Sequence, residues 1–82
     1  PASFVLARAY LDQLERSNGL AADRIRAARV ALDQAERESG SARRSTLDRL
    51  ASELDGAAAG AADRRKTEML AEVVRELAAA AR

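Results

Sequence analysis

One spacing recurs four times along this chain and leaves it few choices of fold. Apolar residues stand at Phe4, Ala7, Leu11 and Leu14; at Ile25, Ala28, Leu32 and Ala35; at Leu47, Leu50, Leu54 and Ala57; and at Leu70, Val73, Leu77 and Ala80. Each set steps by three, four and three residues. At about 3.6 residues per turn, such a set keeps its side chains within about an 80° arc of a helix. A strand would need alternation by two, and no segment has it. The pattern predicts four amphipathic helices, over residues 3–17, 22–38, 42–56 and 62–81.

The breaks between them are read from phase and from turn residues. Ser17-Asn18-Gly19-Leu20 offers a glycine for the left-handed position after a helix, with Leu20 able to fold back on the preceding turn. Phase alone leaves one long helix through Gly19 open here, because Leu14 and Ile25 lie close to three whole turns apart. Ser39-Gly40-Ser41 combines a terminating glycine with an N-capping serine. From Ala35 to Leu47 the apolar stripe also rotates by about 120°, which a straight helix would have to split between two faces. Gly56 and Gly60 bracket an alanine tract, and the stripe turns by roughly 140° from Ala57 to Leu70. Asp63 then suits the start of the last helix, where an acid meets the positive end of the helix dipole.

Short connections make consecutive helices antiparallel. The expected fold is all-α: a small up-down-up-down antiparallel four-helix bundle of two αα-hairpins, forming one domain over residues 1–82. Ala21-Ala22-Asp23-Arg24 recurs as Ala61-Ala62-Asp63-Arg64 at the start of each hairpin's second helix. Common helix-start composition accounts for that more simply than duplication, since Ala and Arg are frequent throughout. Thirteen of the 14 cations are Arg, with Lys66 the one Lys; together with the abundant Ala this reads as GC-rich bacterial coding.

Composition removes most chemistries. The chain has no Cys and no His, so disulfides, thiolate metal sites and the commonest general base and metal ligand are absent. Its glycines are isolated and open no phosphate loop. The chain offers no His and a single Lys to activate a Ser or Thr, and paired carboxylates such as Glu36/Glu38 and Glu72/Glu76 read as a solvated outer face, the latter with Arg75 between them. No catalytic, cofactor-binding or metal-binding residue is expected, nor any small-molecule substrate. No apolar run reaches the length of a membrane span, and no signal peptide is legible; the expectation is a soluble chain, its compartment undetermined. Pro1 at the start fits Met removal, a cleaved precursor or a piece of a longer protein.

Two surfaces remain. The starts of the second and fourth helices share a pole that gathers Arg24, Arg26, Arg64, Arg65 and Lys66 with two positive helix N-termini, a candidate anion-binding pole. Asp23, Asp55, Asp63 and Glu68 stand near enough in sequence to neutralise it. With Arg43-Arg44 added, the basic clusters still lack stacking aromatics, because Phe4 and Tyr10 are the only two in the chain. The formal charge of +1 is also small for a nucleic-acid binder. The second surface is apolar: Val5, Leu6, Tyr10, Val30, Met69 and Val74 lie off the main stripes, as a candidate partner surface. The reading that follows is a non-catalytic helical interaction or oligomerisation module, free-standing or part of a larger protein. Its expected partner is a protein or a second copy, and an anion- or nucleic-acid-binding module on the Arg-rich pole is the alternative.

Overall fold

A computed structural model describes residues 1–82. Four helices follow in order, α1 Phe4–Ser17, α2 Ala22–Arg37, α3 Gly40–Ala58 and α4 Arg64–Ala80, with no strand. Each packs on its neighbours in the chain, and α1 lies beside α4 to close the ring, while the backbones of diagonal helices stay apart. The bundle measures 34 × 23 × 18 Å. Each of its two poles has a backbone hydrogen bond between segments distant in sequence. The Asp63 N–H donates to the Gly19 carbonyl at 2.9 Å, and the Gly40 N–H donates to the Arg82 carbonyl at 2.7 Å.

The helix ends explain why the chain breaks where it does. Ser3 Oγ accepts from the Leu6 N–H at 3.0 Å and starts α1. At the other end Asn18, not Gly19, takes the left-handed conformation, with φ 54°. Its N–H bonds to the Glu15 carbonyl, and the Gly19 N–H to the Leu14 carbonyl at 2.8 Å, the two bonds of a Schellman ending. Asn tolerates this region because its short polar side chain offsets part of the steric cost. Gly19 is needed for a different reason: it is buried, and a Cβ there would lie 2.8 Å from Asp63 Cβ and 2.9 Å from Leu14 Cδ2.

The second turn also differs from expectation. Neither serine caps through its side chain: Ser39 occupies the cap position without a side-chain hydrogen bond, and Ser41 lies within α3. Gly40 supplies the left-handed residue at φ +56° and begins the helix. The last carbonyls of α2 are met from across the turn, by Arg43 Nε on Ala35 at 2.8 Å, which also accepts the Glu38 N–H, and by Arg43 Nη2 on Glu36 at 3.0 Å. Further on, α3 runs through Gly56 to Ala58, two residues past the expected end, because an exposed glycine late in a helix costs only about 1 kcal/mol. Asp63 caps α4 by accepting the Lys66 N–H at 2.9 Å.

The core is one cluster to which all four helices and Leu20 contribute. On α1 and α2 it coincides with the expected stripes, except that Phe4 is half-buried. On α4 the buried residues are Thr67, Leu70, Ala71, Val73, Val74 and Ala78, a face whose centre is rotated by about a quarter turn from the expected one. Val73 sits at its margin, Leu77 is half-buried and Ala80 is exposed. The cause lies in the neighbour. Ala51 and Ala58 flank the side of α3 that carries Asp55, whose carboxylate pairs with Arg75 of α4. Small residues on both helices allow close approach, and α3 with α4 forms the most extensive contact in the bundle. Burying Ala71 and Ala78 against α3 carries the larger Val73 and Leu77 toward α1.

Candidate interaction surfaces

The seams between helices are closed by different means. Across α1 and α2, Arg8 reaches Asp33 at 2.7 Å and Glu36 at 2.8 Å, while Arg29 reaches back to Asp12 at 2.9 Å and Glu15 at 2.7 Å. Each guanidinium is held above its ordinary pKa by these hydrogen bonds, Glu36 first for Arg8 and Asp12 first for Arg29. Between α2 and α3, Arg43 caps carbonyls as described, and the Thr46 hydroxyl donates to Glu38 at 2.7 Å. Arg43 also lies over the Phe4 ring at 5.4 Å, and Arg44 Nη2 donates to the Ala81 carbonyl at 3.2 Å. The Arg43-Arg44 pair is thus occupied in ending helices. Arg75 and Asp55 tie α3 to α4.

The α1/α4 seam has no such tie. Leu6 and Tyr10 lie on the flank of α1 opposite Arg8 and Asp12, and therefore toward α4, the other helix that α1 touches. Val73 and Leu77 lie on the flank of α4 opposite Arg75, and therefore toward α1. Leu6, Tyr10 and Leu77 pack on the core while remaining half-exposed, and Met69 beside them is 40% exposed.

Of the six apolar residues expected off the core, the structure separates three groups. Val5 and Val30 are 78% and 65% exposed, on the outer side of the α1/α2 ion pairs, and belong to no apolar groove. Leu6, Tyr10 and Met69 gather along the α1/α4 seam. Val74 is fully buried and is a core residue, not a surface one, because of the rotation of α4. Leu77 is left partly exposed instead; the sequence stripe assigned it to the core together with Val73, which is buried at the core's margin.

At the opposite extreme in polarity is the pole where the α1–α2 turn meets the start of α4. Arg24, Arg26, Arg64 and Arg65 are exposed there and Lys66 is half-buried. Of the four acids expected to neutralise them, only Glu68 forms an ion pair with a pole cation, to Arg64 at 3.2 Å. Asp55 is turned to Arg75, Asp63 caps α4, and Asp23 accepts the Arg24 N–H at 2.9 Å. Arg24 borders an open hollow of about 270 Å³ walled by Leu20, Ala21, Ala57 and Gly60. A second crevice, between α2 and α3 at Ala28 and Leu54, is about 20 Å³, room for about one water.

The paired carboxylates do not converge on a cation site. Glu36 faces Arg8, Glu38 faces Thr46 and Gln34, and Glu72 faces Arg75 at 3.4 Å. No three carboxylates come together, and no helix is long and apolar enough to cross a membrane. No protein-family model, curated protein or solved structure matches this chain.

Proposed function

We propose that this chain is a non-catalytic helical interaction module that works by packing its α1/α4 face on another protein surface. The observation that carries the reading is the unequal closure of the seams. Three are tied by ion pairs or hydrogen bonds, whereas the fourth leaves Leu6, Tyr10, Met69 and Leu77 partly exposed along one line. Scattered apolar residues at a surface are ordinary, but a line of them over one helix pair forms the apolar centre that interfaces have, with charged residues at its rim.

Photo-cross-linking in cells that make the protein tests this reading. A cross-linkable residue at Met69 or Leu6 should trap a protein, either another chain or a second copy. The same group at Ser52 or Asp48, both exposed on α3, should not. Equal labelling at all four positions, or none at any, would remove the reading.

A second reading draws on the pole. Arg24, Arg26 and Arg65 are exposed without ion pairs, and Arg24 borders an open hollow, which favours an anionic group. Phosphate contacts of this kind weaken steeply with salt, while apolar docking does not. Binding of a polyanion that falls with salt and is lost in Arg24→Ala/Arg65→Ala would favour the pole over the α1/α4 face.

A further inference from the structure

We infer that the occupant of the α1/α4 face is a second copy of this chain, packed about a two-fold axis with the two α4 helices antiparallel. This rests on the α1/α4 face being the interaction surface and adds what covers it. The argument is charge complementarity. Arg65, Met69, Glu72 and Glu76 follow one another at steps of four, three and four residues, which puts them within about a 60° arc on the outer side of α4. All four are exposed. The line is basic at the start of the helix, where Lys66 joins Arg65, apolar at Met69, and acidic toward the end. Beside it α1 contributes the half-exposed Leu6 and Tyr10 and the neutral Gln13 and Ser17, so the charge pattern belongs to α4 alone.

A two-fold interface uses the same patch on both copies and must therefore be complementary to itself. A line that is basic at one end and acidic at the other meets this condition only when the copies run antiparallel. Arg65 and Lys66 of one copy then lie over Glu72 and Glu76 of the other, while Met69 crosses near the axis between the Leu6 and Tyr10 side chains. Parallel packing would set like charges against each other. The α1/α2 face offers a poorer site, because Arg8, Asp12, Arg29 and Asp33 already pair within the chain across it. A face 34 Å long and 18–23 Å wide is on the scale of the roughly 800 Å² that each partner contributes to a standard interface. That size suits a reversible dimer.

Sedimentation equilibrium on the intact chain provides the test, with circular dichroism confirming that each variant folds. The wild type should show a concentration-dependent monomer–dimer equilibrium. Met69→Glu should abolish the dimer. So should Arg65→Glu/Lys66→Glu alone and Glu72→Arg/Glu76→Arg alone, since each sets like charges at both ends of the interface. The quadruple variant that combines them should recover the dimer, and a mixture of the two double variants should form a heterodimer. A wild type that stays monomeric throughout overturns the proposal; labelling of a different protein in the cross-linking experiment would then leave the interaction reading standing. A dimer that ignores Met69→Glu and the charge reversals but dissociates in Val30→Glu overturns it too, and moves the interface to α2.

Discussion

A methyl group added at Gly19 would sit 2.8 Å from Asp63 Cβ and 2.9 Å from Leu14 Cδ2, and the Gly19 carbonyl holds the Asp63 N–H at 2.9 Å. Gly19→Ala must therefore force the two turns apart, at about 1–3 kcal/mol by analogy with overpacked sites. At Gly56 an added Cβ meets nothing within 4 Å, and the residue lies in an exposed helix, so Gly56→Ala should stabilise by up to about 1 kcal/mol. Urea midpoints of the two variants should move in opposite directions; a stabilised Gly19→Ala would refute the close approach. Glu38 poses a different residue-scale problem. Its carboxyl is held below the ordinary glutamate value, chiefly by the Thr46 hydroxyl and next by the Gln34 amide. A carboxyl whose folded pKa is depressed contributes stability that is fully present above its unfolded pKa, near 4.3, and that is lost as pH falls through the folded value. Thr46→Val keeps the shape and removes the donor. Its destabilisation should be plain at pH 7 and shrink as the acid limb is approached, and a pH-independent difference would assign the effect to packing alone.

At the scale of the helices, the sequence and the structure part over α4. Four helices, their order and the stripes of α1 and α2 are legible because large side chains there lie on one face and charged ones on the other. On α4 two lines compete: Leu70, Val73, Leu77 and Ala80, or Leu70, Ala71, Val74 and Ala78. Counting large residues favours the first. Close packing against Ala51 and Ala58 of α3 selects the second, a preference set by a partner helix far away in sequence and invisible within α4. The same blindness hid part of the α1/α4 seam, where Met69, Leu6 and Tyr10 were legible as extra apolar residues but Leu77 was not. The turns illustrate another limit. Glycine marks each break, yet Asn18 carries the strained dihedral of the first, because Gly19 is required for contact with a segment over forty residues on. The rotation gives a direct prediction. Val74→Ala should cost about 2 kcal/mol or more, from lost burial plus the cavity left behind, and Leu77→Ala should cost less although it removes more atoms. Thermal melts of the two variants would decide it, and the reverse order would restore the first line as the core.

For the whole molecule, the two hairpins are held by unlike forces. α3 and α4 meet over the most extensive contact in the bundle, with alanines close together and Leu47, Leu54, Leu70 and Val74 buried around them. α1 approaches α2 and α4 along far fewer residues, and its ties to α2 are ion pairs whose acids are half or more exposed. Exposed pairs are worth about 0–1 kcal/mol each and are screened by salt. They align α1 on α2 more than they secure it. What anchors α1 is burial of Ala7, Leu11 and Leu14, and at its end the Gly19–Asp63 hydrogen bond. A small domain usually unfolds as one unit, yet regions with few buried contacts open locally at lower cost. Native-state hydrogen exchange should therefore grade the bundle. Amides in the middle of α3 and α4 should exchange only through global unfolding, whereas those of α1 should exchange through a cheaper opening that Arg29→Gln or higher salt makes cheaper still. If the α1/α4 face pairs with a second copy, raising protein concentration should slow exchange in α1 more than in α3, because dimerisation covers the seam through which α1 leaves. Equal protection in all four helices, unmoved by concentration, would mean that the ring opens only as a whole.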